Sequence, residues 1–450
     1  MDMTHLASLR TREAARFVAA NPRSQAAAAA RASHWHQGVP FHWMRDWPSP
    51  FPLVAAQAVG ATLTSLDGQT LDDFCLADTA AMFGHSPAPL AAAISQQARV
   101  GLGYMLPSPE VGHVGALLAE RYGLPYWQTT TTASEANRAV IRWARQITQR
   151  RKILVFNGCY HGAVDDVFVD LRDGIAETRQ SLVGQVHDIR EHSLVVEFND
   201  LDGLSAALAG ADVACVLAEP VMTNVGMVQP LPGYLQELRR LTSLHGTLLV
   251  WDETHTISSG WSGHSGTYGP PGDMMVIGKS IGGGVPCAVY GFTESVSERM
   301  IAARKRLPPG HSGIGTTLSA NALAIAALRA MLDQVMSRSA YAHMLDLAGR
   351  LAEGIGEVTE SNRLPWHVTR VGARVELICA PTPSRNGSEA RAVMHPKLES
   401  LLHLMLVNRG SLLAPFHNMM LISPATSRAA VSRLIANLDD CLQTLSEHAS

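Results

Sequence analysis

The sequence predicts an α/β protein built around a mostly parallel sheet. Between residues 75 and 330, short apolar runs alternate with amphipathic helical patterns, and polar or glycine-rich turns separate them. Apolar runs this short are typical of strands buried on both faces, and their alternation with helices is typical of a parallel sheet. The C-terminal third is polar and rich in loops, so we expect a second, smaller α+β domain there.

Four of the apolar runs are the clearest strand candidates, and two helical patterns accompany them. The predicted strands are Ile153–Phe156, Val213–Leu217, Thr247–Trp251 and Met274–Ile277. The apolar faces of the two helices are formed by Ala136, Val140, Ile141, Ala144 and Ile147, and by Tyr234, Leu238, Leu241 and Leu244. Gly246 follows the second pattern, as is typical of a helix C-terminus.

The pattern divides the chain into three segments. We assign residues 1–74 to an N-terminal segment that is part of the small domain. Residues 75–330 form the large domain, and residues 331–450 form the C-terminal small domain. The alanine-rich stretch Ser24–Ser33 indicates the end of a helix.

The composition argues against nucleic-acid and membrane partners. The 450 residues carry a formal net charge of −3, and 46% of them are hydrophobic. Neither a basic surface nor an apolar run of about 18 residues is evident, and the N-terminus lacks the pattern of a secretion signal. We therefore expect a soluble, cytoplasmic protein. We predict no metal site and no disulfide, and we expect buried free thiols at Cys75, Cys159, Cys215, Cys287, Cys379 and Cys441.

Lys279 is the strongest candidate for a reactive group. The chain contains four lysines, and Lys152, Lys305 and Lys397 lie in polar surroundings. Lys279 instead ends an apolar strand and precedes glycines, in MMVIGKSIGGG. A lysine there would lie at the carboxyl edge of a parallel sheet, where α/β proteins bind ligands, and partial burial would make its amine nucleophilic toward a carbonyl. The alternative is a surface lysine beside a turn.

Asp252 ends another buried strand, in TLLVWDE. A carboxylate inside a core needs a partner, because a buried unpaired charge is costly. A pyridinium N–H is one such partner, and keeping that nitrogen protonated makes a pyridine ring an electron sink. The alternatives are that Asp252 caps the next turn or pairs with an arginine.

Two further stretches are candidates for contacts with an anionic, ring-containing ligand. Thr129–Ser134 runs directly into a predicted helix, whose N-terminal N–H groups could bind a phosphate, although hydroxyls there also serve as ordinary helix caps. Phe156–Gly162 follows a strand and offers Tyr160 and His161. An aromatic ring there could stack on a pyridine, or it could simply pack in the core.

These motifs, in this order, resemble the class III aminotransferases of pyridoxal-5′-phosphate (PLP) fold type I. The resemblance rests on Y-H-G at Tyr160–Gly162, A-E-P at Ala218–Pro220, D-E at Asp252–Glu253 and G-K-x-I-G-G-G at Gly278–Gly284. Within that family the chain is most similar to glutamate-1-semialdehyde aminomutase and the β-amino-acid aminotransferases. The resemblance implies a mostly parallel, mixed seven-stranded sheet in the large domain, residues 75–330, which would bind PLP. It also implies that residues 1–74 form part of the substrate entrance.

The resemblance also implies roles for individual residues. Lys279 would hold PLP as a Schiff base and move protons, and Asp252 would pair with the pyridine nitrogen. Tyr160 would stack on the ring with His161 beside it, and Glu219 would lie near the 3-hydroxyl. The remaining expected cofactor contacts are Thr132, Ala133 and Ser134 at the phosphate, Thr254 at the ring, and Thr317 reaching the phosphate of a neighbouring subunit. A homodimer with its active site at the subunit interface is therefore implied.

The chain departs from the family pattern most clearly on the substrate side. Where family members carry an arginine that binds a substrate carboxylate, this chain has Trp43 or Met44, with Arg45 one residue away, and near the C-terminus it has Phe416. The phosphate loop contains Ala133 in place of a glycine. Aromatic side chains at these positions favour a hydrophobic or aromatic amine or amino acid as donor, with a keto acid or aldehyde as acceptor.

Several functions remain open at this point. The leading prediction is an aminotransferase, and the first alternative is an aminomutase, racemase or decarboxylase of the same fold, because these enzymes share every residue named above. A catalytically silent protein of the same fold would not need to retain Lys279 and Asp252. A nucleotide-binding protein would be expected to carry a phosphate-binding glycine motif after a strand, and none is found.

Overall fold

A computed structural model describes residues 3–308, 310 and 313–446 of the chain. The chain divides into two units. The first unit comprises Met1–Pro87, Ala342–Pro383 and Val393–Ser450, and the second comprises Ala88–Tyr341 and Ser384–Ala392. The segment boundaries predicted from the sequence, after residues 74 and 330, stay a prediction.

The helices are given first, numbered in chain order. They are α1 (Met3–Ala20), α2 (Pro22–Arg31), α3 (Ala88–Val100), α4 (Val111–Tyr122), α5 (Ala133–Thr148), α6 (Leu201–Leu208), α7 (Tyr234–Leu244), α8 (Ser265–Tyr268), α9 (Glu294–Arg304), α10 (Ala322–Ala330), α11 (Arg338–Ser361), α12 (Gly387–Ala392), α13 (Pro396–Val407) and α14 (Arg428–Ser446). Both helices predicted from apolar periodicity are present, as α5 and α7.

The strands are numbered in the same way. They are β1 (Ala55–Val59), β2 (Thr62–Ser65), β3 (Thr70–Asp73), β4 (Tyr126–Thr130), β5 (Lys152–Phe156), β6 (Val169–Arg172), β7 (Ile175–Thr178), β8 (Ser193–Val196), β9 (Val213–Ala218), β10 (Leu248–Asp252), β11 (Met274–Ile277), β12 (Ala288–Phe292), β13 (His367–Val371), β14 (Arg374–Ile378), β15 (Ser411–Leu412) and β16 (Met420–Leu421). The four predicted strands correspond to β5, β9, β10 and β11, with ends that differ by one residue at most.

The second unit is organised around a seven-stranded sheet in the order β4-β12-β11-β10-β9-β5-β8. Strands β11, β10, β9, β5 and β8 run parallel to one another, whereas β12 is antiparallel to both β11 and β4. This arrangement confirms the predicted mostly parallel, mixed seven-stranded sheet. The unit also contains a hairpin of β6 and β7.

Alternation of apolar side chains explains why the central strands are buried on both faces. In β5, Ile153 and Val155 belong to one core cluster together with Val140 of α5. Leu154 and Phe156 point the other way, into a second cluster. Successive side chains of a strand point to opposite faces, so a continuous apolar run is the pattern that a sheet covered on both sides requires.

The first unit contains two smaller sheets, β1-β2-β3-β15 and β13-β14-β16. The six cysteines are all buried and free, which confirms the prediction of free thiols. Among the helices of the described residues, none combines the length and the apolar composition needed to cross a bilayer.

Candidate active site

The carboxyl ends of four neighbouring parallel strands bring the predicted cofactor residues of the second unit to one edge of the sheet. Tyr160 and His161 follow β5, and Glu219 follows β9. Asp252 is the last residue of β10, with Thr254 just after it, and Lys279 follows β11. In open α/β sheets, ligands bind outside this edge. The spacing of the motifs along the chain could not show this proximity, because it depends on the order of the strands.

Asp252 is the centre of a buried polar cluster. Its Oδ2 accepts a hydrogen bond from His161 Nδ1 at 2.9 Å and another from Asn137 Nδ2 at 2.9 Å. Its Oδ1 accepts one from the Thr254 backbone N–H at 3.1 Å. Asn137 also donates to the His161 carbonyl at 3.0 Å, so α5 holds both partners of the pair in place. The partner of Asp252 within the protein is therefore a histidine, not the arginine considered as an alternative.

The His161–Asp252 contact is a buried ion pair. Burial lowers the pKa of His161, but the neighbouring Cys159 and the hydrogen bond to Asp252 outweigh it and raise that pKa to about 10. Burial raises the pKa of Asp252, and the interaction with His161 outweighs this effect, so that the pKa is lowered overall. Opposite charges in contact favour the charged form of each other, so both groups are ionised near neutral pH.

We expect the stabilising effect of this pair to depend on pH in a defined direction. The contribution of His161 is fully present below its ordinary pKa of 6.5 and is lost as the pH rises through about 10. The contribution of Asp252 is present above its ordinary pKa of 3.8 and is lost as the pH falls through its lowered value in the folded protein. His161→Gln should therefore destabilise the protein by about 3–5 kcal/mol near pH 5–6, and by progressively less toward pH 10. Urea unfolding of the PLP-free protein measures this difference.

An exposed ion pair provides the control for this experiment. Asp188 and Arg190 form a contact at 2.6 Å on the surface, where salt and solvent weaken such pairs. Arg190→Gln should leave the stability profile close to that of the wild type at every pH. A stability gap for His161→Gln that stayed constant from pH 5 to pH 10 would show that the pair is not ionised.

Lys279 lies directly after β11 in an unusual backbone conformation. Its φ of 48° places a non-glycine residue in the left-handed region, which L-residues rarely adopt and which often marks functional sites. The preceding Gly278 has no room for a side chain, because a Cβ there would lie 2.7 Å from the Cβ of Ala133. The alanine that replaces a family glycine in the phosphate loop thus packs against the residue next to Lys279.

The Lys279 amine contacts a histidine that the sequence analysis did not identify. Nζ lies 2.6 Å from His255 Nε2, and His255 Nδ1 lies 2.7 Å from Thr223 Oγ1. Thr223 in turn donates from its hydroxyl and its backbone N–H to Oε2 of Glu219, at 2.5 and 3.1 Å. Burial is the largest influence on Glu219 and raises its pKa, whereas these hydrogen bonds favour its charged form.

The stretch predicted to bind an anion lies at the N-terminus of α5. Thr132 is the N-cap, and its side chain accepts a hydrogen bond from the backbone N–H of Glu135 at 3.3 Å. Ala133 and Ser134 occupy the first turn, where N–H groups have no partner within the helix and the helix dipole favours negative charge. Ser134 Oγ accepts from the Ala163 N–H at 3.0 Å, which links this turn to the Tyr160–Gly162 loop.

Three of the predicted cofactor residues of the second unit are exposed, namely Thr132, Tyr160 and Thr317. Tyr160 has 45% of its surface accessible, so its ring has an open side at the carboxyl edge. Thr317 is exposed in the segment that precedes α10. Its predicted contact with a neighbouring subunit stays a prediction.

The predicted substrate residues all lie in the first unit. Trp43 and Phe416 are 41% and 47% exposed. Arg45 is exposed, and its Nη1 donates to the Gln37 carbonyl at 3.3 Å. Trp43 and Met44 also line an apolar cavity of about 230 Å³ within this unit. Their role as substrate contacts stays a prediction.

The residues at the carboxyl edge fit PLP. The edge offers an amine for an aldehyde, a carboxylate for a pyridine nitrogen and a helix N-terminus for a phosphate. Three buried polar atoms, His161 Nε2, Thr254 Oγ1 and Ser280 Oγ, also have no hydrogen-bond partner among the described residues. A buried polar group without a hydrogen bond lowers the stability of the protein by about 1–3 kcal/mol. A polar cofactor could supply the missing hydrogen bonds.

Asn137, Thr223 and His255 are polar residues of this site that sequence reasoning missed. A weak signal existed for two of them. Asn137 lies one helical turn after Ala133 on an otherwise apolar face, and His255 follows Asp252 by three residues. Thr223 carried no signal, because its position beside His255 depends on the pairing of β9 with β10.

Comparisons with known proteins identify similar chains. The family described as aminotransferase class-III matches residues 44–429. A glutamate-1-semialdehyde 2,1-aminomutase of Anaeromyxobacter sp. (strain Fw109-5) is 32% identical over 79% of this chain and 82% of its own length. The crystal structure of a glutamate-1-semialdehyde-aminomutase from Pseudomonas aeruginosa PAO1 has a TM-score of 0.97 and 46% identity, with 99% of both chains covered, and a variant of it is known in complex with PMP. A β-phenylalanine aminotransferase from Variovorax paradoxus has a TM-score of 0.87 and 25% identity, covering 98% of this chain and 99% of its own.

Proposed function

The chain belongs to the class III aminotransferase family, whose members depend on PLP, and from this premise we propose that it is an aminomutase that moves an amino group between neighbouring carbon atoms of one substrate. The resemblance drawn from the motifs is confirmed, as are its fold and its cofactor. The sequence favoured an aminotransferase and gave the aminomutase as the first alternative. The comparisons support the alternative better, so we propose the aminomutase first.

One observation carries this proposal. The similarity to the Pseudomonas aeruginosa aminomutase extends over 99% of both chains at 46% identity. The similarity to the β-phenylalanine aminotransferase has nearly the same extent but only 25% identity. Because the same fold hosts many reactions, the higher identity over the whole length is the better guide to the reaction.

We assign the following roles to the residues at the carboxyl edge. Lys279 attaches PLP through Nζ, and the charged Asp252 accepts a hydrogen bond from the pyridine nitrogen. The other roles are assigned from the position of each residue at this edge. The first turn of α5 would bind the phosphate through Thr132, Ala133 and Ser134. The residues that would surround the ring are Tyr160, His161, Glu219 and Thr254.

The reaction requires proton transfer at defined atoms of the protein. When bound, PLP supplies an electrophilic aldehyde carbon and a ring that withdraws electrons from the substrate carbon bearing nitrogen. Lys279 Nζ accepts a proton from that carbon and returns it to another one. The buried His161–Asp252 pair keeps the carboxylate charged, so that it favours a protonated ring nitrogen.

A single substrate distinguishes an aminomutase from an aminotransferase. Moving the amino group of glutamate-1-semialdehyde from C2 to C1 yields 5-amino-4-oxopentanoate, an isomer, and no second substrate is consumed. The purified enzyme should form this product without an added keto acid. Substrate labelled with ¹⁵N should keep its label when unlabelled amino donors are present. Exchange of the label with those donors would contradict the proposal.

The second candidate is the aminotransferase for apolar amines that the sequence favoured. The observation in its favour is the replacement of the carboxylate-binding arginine by aromatic side chains, with Trp43 and Phe416 both substantially exposed. A desolvated carboxylate needs a bidentate arginine or several N–H donors, whereas aromatic residues offer apolar contact area.

Paired donors test this candidate. A phenylalkyl amine and the β-amino acid that differs from it only by a carboxylate can be compared in the amine half-reaction. A preference for the donor that lacks the carboxylate, with release of a ketone, would support the aminotransferase. A strong preference for the carboxylated donor that is abolished by Arg45→Ala would show that Arg45 binds the carboxylate.

We also propose that the enzyme is a homodimer. An exposed apolar stretch begins at the last residue of α3 in the second unit and includes Val100 (70% exposed), Met105 (84%) and Leu106 (71%). The Leu323 N–H donates to the Leu102 carbonyl at 3.2 Å, which ties this stretch to the start of α10, close in sequence to Thr317 and the exposed Leu318. Contiguous exposed apolar surface is typical of an interface between subunits.

Subunit mixing tests the shared active site. Lys279→Ala and Thr317→Asp should each be inactive as homodimers, the second because a carboxylate repels the phosphate. In a mixed dimer, one of the two sites would regain both native residues, so we expect activity of up to about half the wild-type level per mixed dimer.

Sedimentation tests the position of the interface, and Met105→Glu should weaken the dimer in such experiments. Val183→Glu is the control, because Val183 is 93% exposed elsewhere in the same unit. Equal dissociation of the Met105→Glu and Val183→Glu variants would contradict an interface at this stretch. No recovered activity in the mixed dimers would refute the shared site.

A further inference from the structure

His255 joins the Lys279 amine to a chain of buried polar groups. Its Nε2 lies 2.6 Å from Lys279 Nζ, and its Nδ1 lies 2.7 Å from the hydroxyl of Thr223, which donates to Glu219. We propose that His255 is a positioning residue that holds the Lys279 amine whenever this amine is not attached to PLP, and that Thr223 and Glu219 orient its ring. The inference deepens the proposed function, on which it rests for the role of Lys279.

The direction of the hydrogen bonds follows from the donors available. Oε2 of Glu219 accepts from both the N–H and the hydroxyl of Thr223, and Oε1 accepts from Asn224 Nδ2 at 3.2 Å. Because a hydroxyl has a single proton, Thr223 can only accept from His255 Nδ1. A neutral His255 that donates through Nδ1 has an unprotonated Nε2, which is an acceptor. Lys279 Nζ therefore donates to His255, and the ring cannot take the opposite tautomer without breaking the chain of contacts.

Burial strengthens this chain of hydrogen bonds, because it excludes water from the groups that form it. Thr223 is 0% exposed, Glu219 is 4% exposed and His255 is 6% exposed, so solvent does not compete for these groups. Hydrogen bonds between groups shielded from water are electrostatically stronger than those in water, and a connected network specifies one arrangement. The site thereby offers the flexible Lys279 side chain one preferred position close to its own backbone turn.

The proposed role answers a requirement of the reaction. Lys279 must leave its covalent attachment when the substrate amine takes its place, and it must return at the end of each cycle. A lysine side chain has several rotatable bonds, and fixing it costs conformational entropy. A partner that already holds Nζ reduces the range of positions from which the amine must return.

An alternative is that His255 only fills space in the core. A histidine with this role would need no defined tautomer, and an apolar ring of similar size could replace it. The contacts at both ring nitrogens argue against this alternative, because each nitrogen meets a different polar group at hydrogen-bonding distance.

The tautomer of His255 can be measured without substrate. PLP-free protein labelled with ¹⁵N-histidine would be studied by NMR, with His255 assigned by loss of its signals in His255→Gln. We expect a protonated Nδ1 and an unprotonated Nε2, and a mixture of tautomers in Thr223→Val. A protonated Nε2 in a neutral ring would overturn the proposed order of hydrogen bonds.

The kinetics of PLP attachment test the positioning role. PLP is added to the PLP-free protein, and covalent attachment to Lys279 is followed by absorbance and confirmed by borohydride reduction and peptide mapping. We expect attachment to be about tenfold slower in His255→Phe, because Nζ loses its partner, and within about threefold of the wild type in His255→Gln, whose amide still accepts a hydrogen bond. His245→Phe, a partly exposed histidine just after α7, is the control and should match the wild type.

The outcomes separate the inference from the proposed function. Equal attachment rates in His255→Phe, His255→Gln and the wild type would overturn the positioning role, whatever reaction the enzyme catalyses. Slow attachment only in His255→Phe, together with no conversion of glutamate-1-semialdehyde to 5-amino-4-oxopentanoate by the wild-type enzyme, would support the inference and refute the proposed function.

Discussion

Lys279→Ala is expected to abolish covalent attachment of PLP and to reduce turnover by at least about 1000-fold. Loss of an amine that both attaches the cofactor and moves protons removes two contributions to the rate at once. The fold should tolerate the change, because Lys279 is only partly buried and follows β11 instead of belonging to it. Bound PLP that is not covalently attached would then be removable by dialysis.

Peptide mapping makes this result specific to one residue. The chain has only four lysines, so borohydride reduction of the wild-type enzyme should leave a pyridoxyl group on the peptide that contains Lys279. Lys152→Ala is a suitable control, since Lys152 forms a surface ion pair with Asp212 at 2.8 Å. A pyridoxyl group on Lys152, Lys305 or Lys397 would contradict the assignment.

Asp252→Asn is expected to reduce turnover by about 100-fold or more. Oδ2 of Asp252 already accepts two hydrogen bonds, from His161 and Asn137, whereas Oδ1 accepts one from the Thr254 N–H. A carboxylate oxygen can accept two hydrogen bonds, so Oδ1 retains one acceptor position for a pyridine N–H. A neutral amide cannot keep that nitrogen protonated, which weakens stabilisation of the negative charge that develops on the substrate carbon.

The same substitution also removes the counter-charge of His161. Stability must therefore be measured alongside turnover, and rates should be compared at a temperature where both proteins are fully folded. His161→Gln separates the two effects, because it breaks the ion pair but keeps the carboxylate. We expect His161→Gln to lose less activity than Asp252→Asn. Near-normal turnover in Asp252→Asn would mean that another group keeps the ring protonated.

The strands and the place of Lys279 at the end of one of them could be predicted from the sequence because their signals are local. Runs such as Val213–Leu217 are apolar throughout, which only a strand covered on both faces requires. Lys279 was recognisable by its place between an apolar run and glycines, and Asp252 by its place at the end of another run. The family resemblance rested on the same short motifs and added the expected cofactor.

The partners of these residues could not be predicted in the same way. Asp252 pairs with His161 and Asn137, which lie 91 and 115 residues away along the chain. The sequence allowed a capping role, an arginine or a pyridine nitrogen as partner. The bond from the Thr254 N–H is a capping contact of this kind, whereas the pairing with His161 was not predicted. The substrate residues Trp43, Arg45 and Phe416 stay a prediction, because they were inferred from departures from a family pattern.

The sequence by itself determined the fold class, the central strands and the candidates for the reactive groups, since each depends on side-chain chemistry within a few neighbouring residues. Only the tertiary structure decided which groups meet. Parallel pairing of β9, β10 and β11 brings Glu219, Asp252 and Lys279 to one edge. The same pairing places His255 between Lys279 and Thr223. Strand order is set by packing of the whole sheet, and a hydrogen bond between residues distant in sequence exists only once that packing has formed.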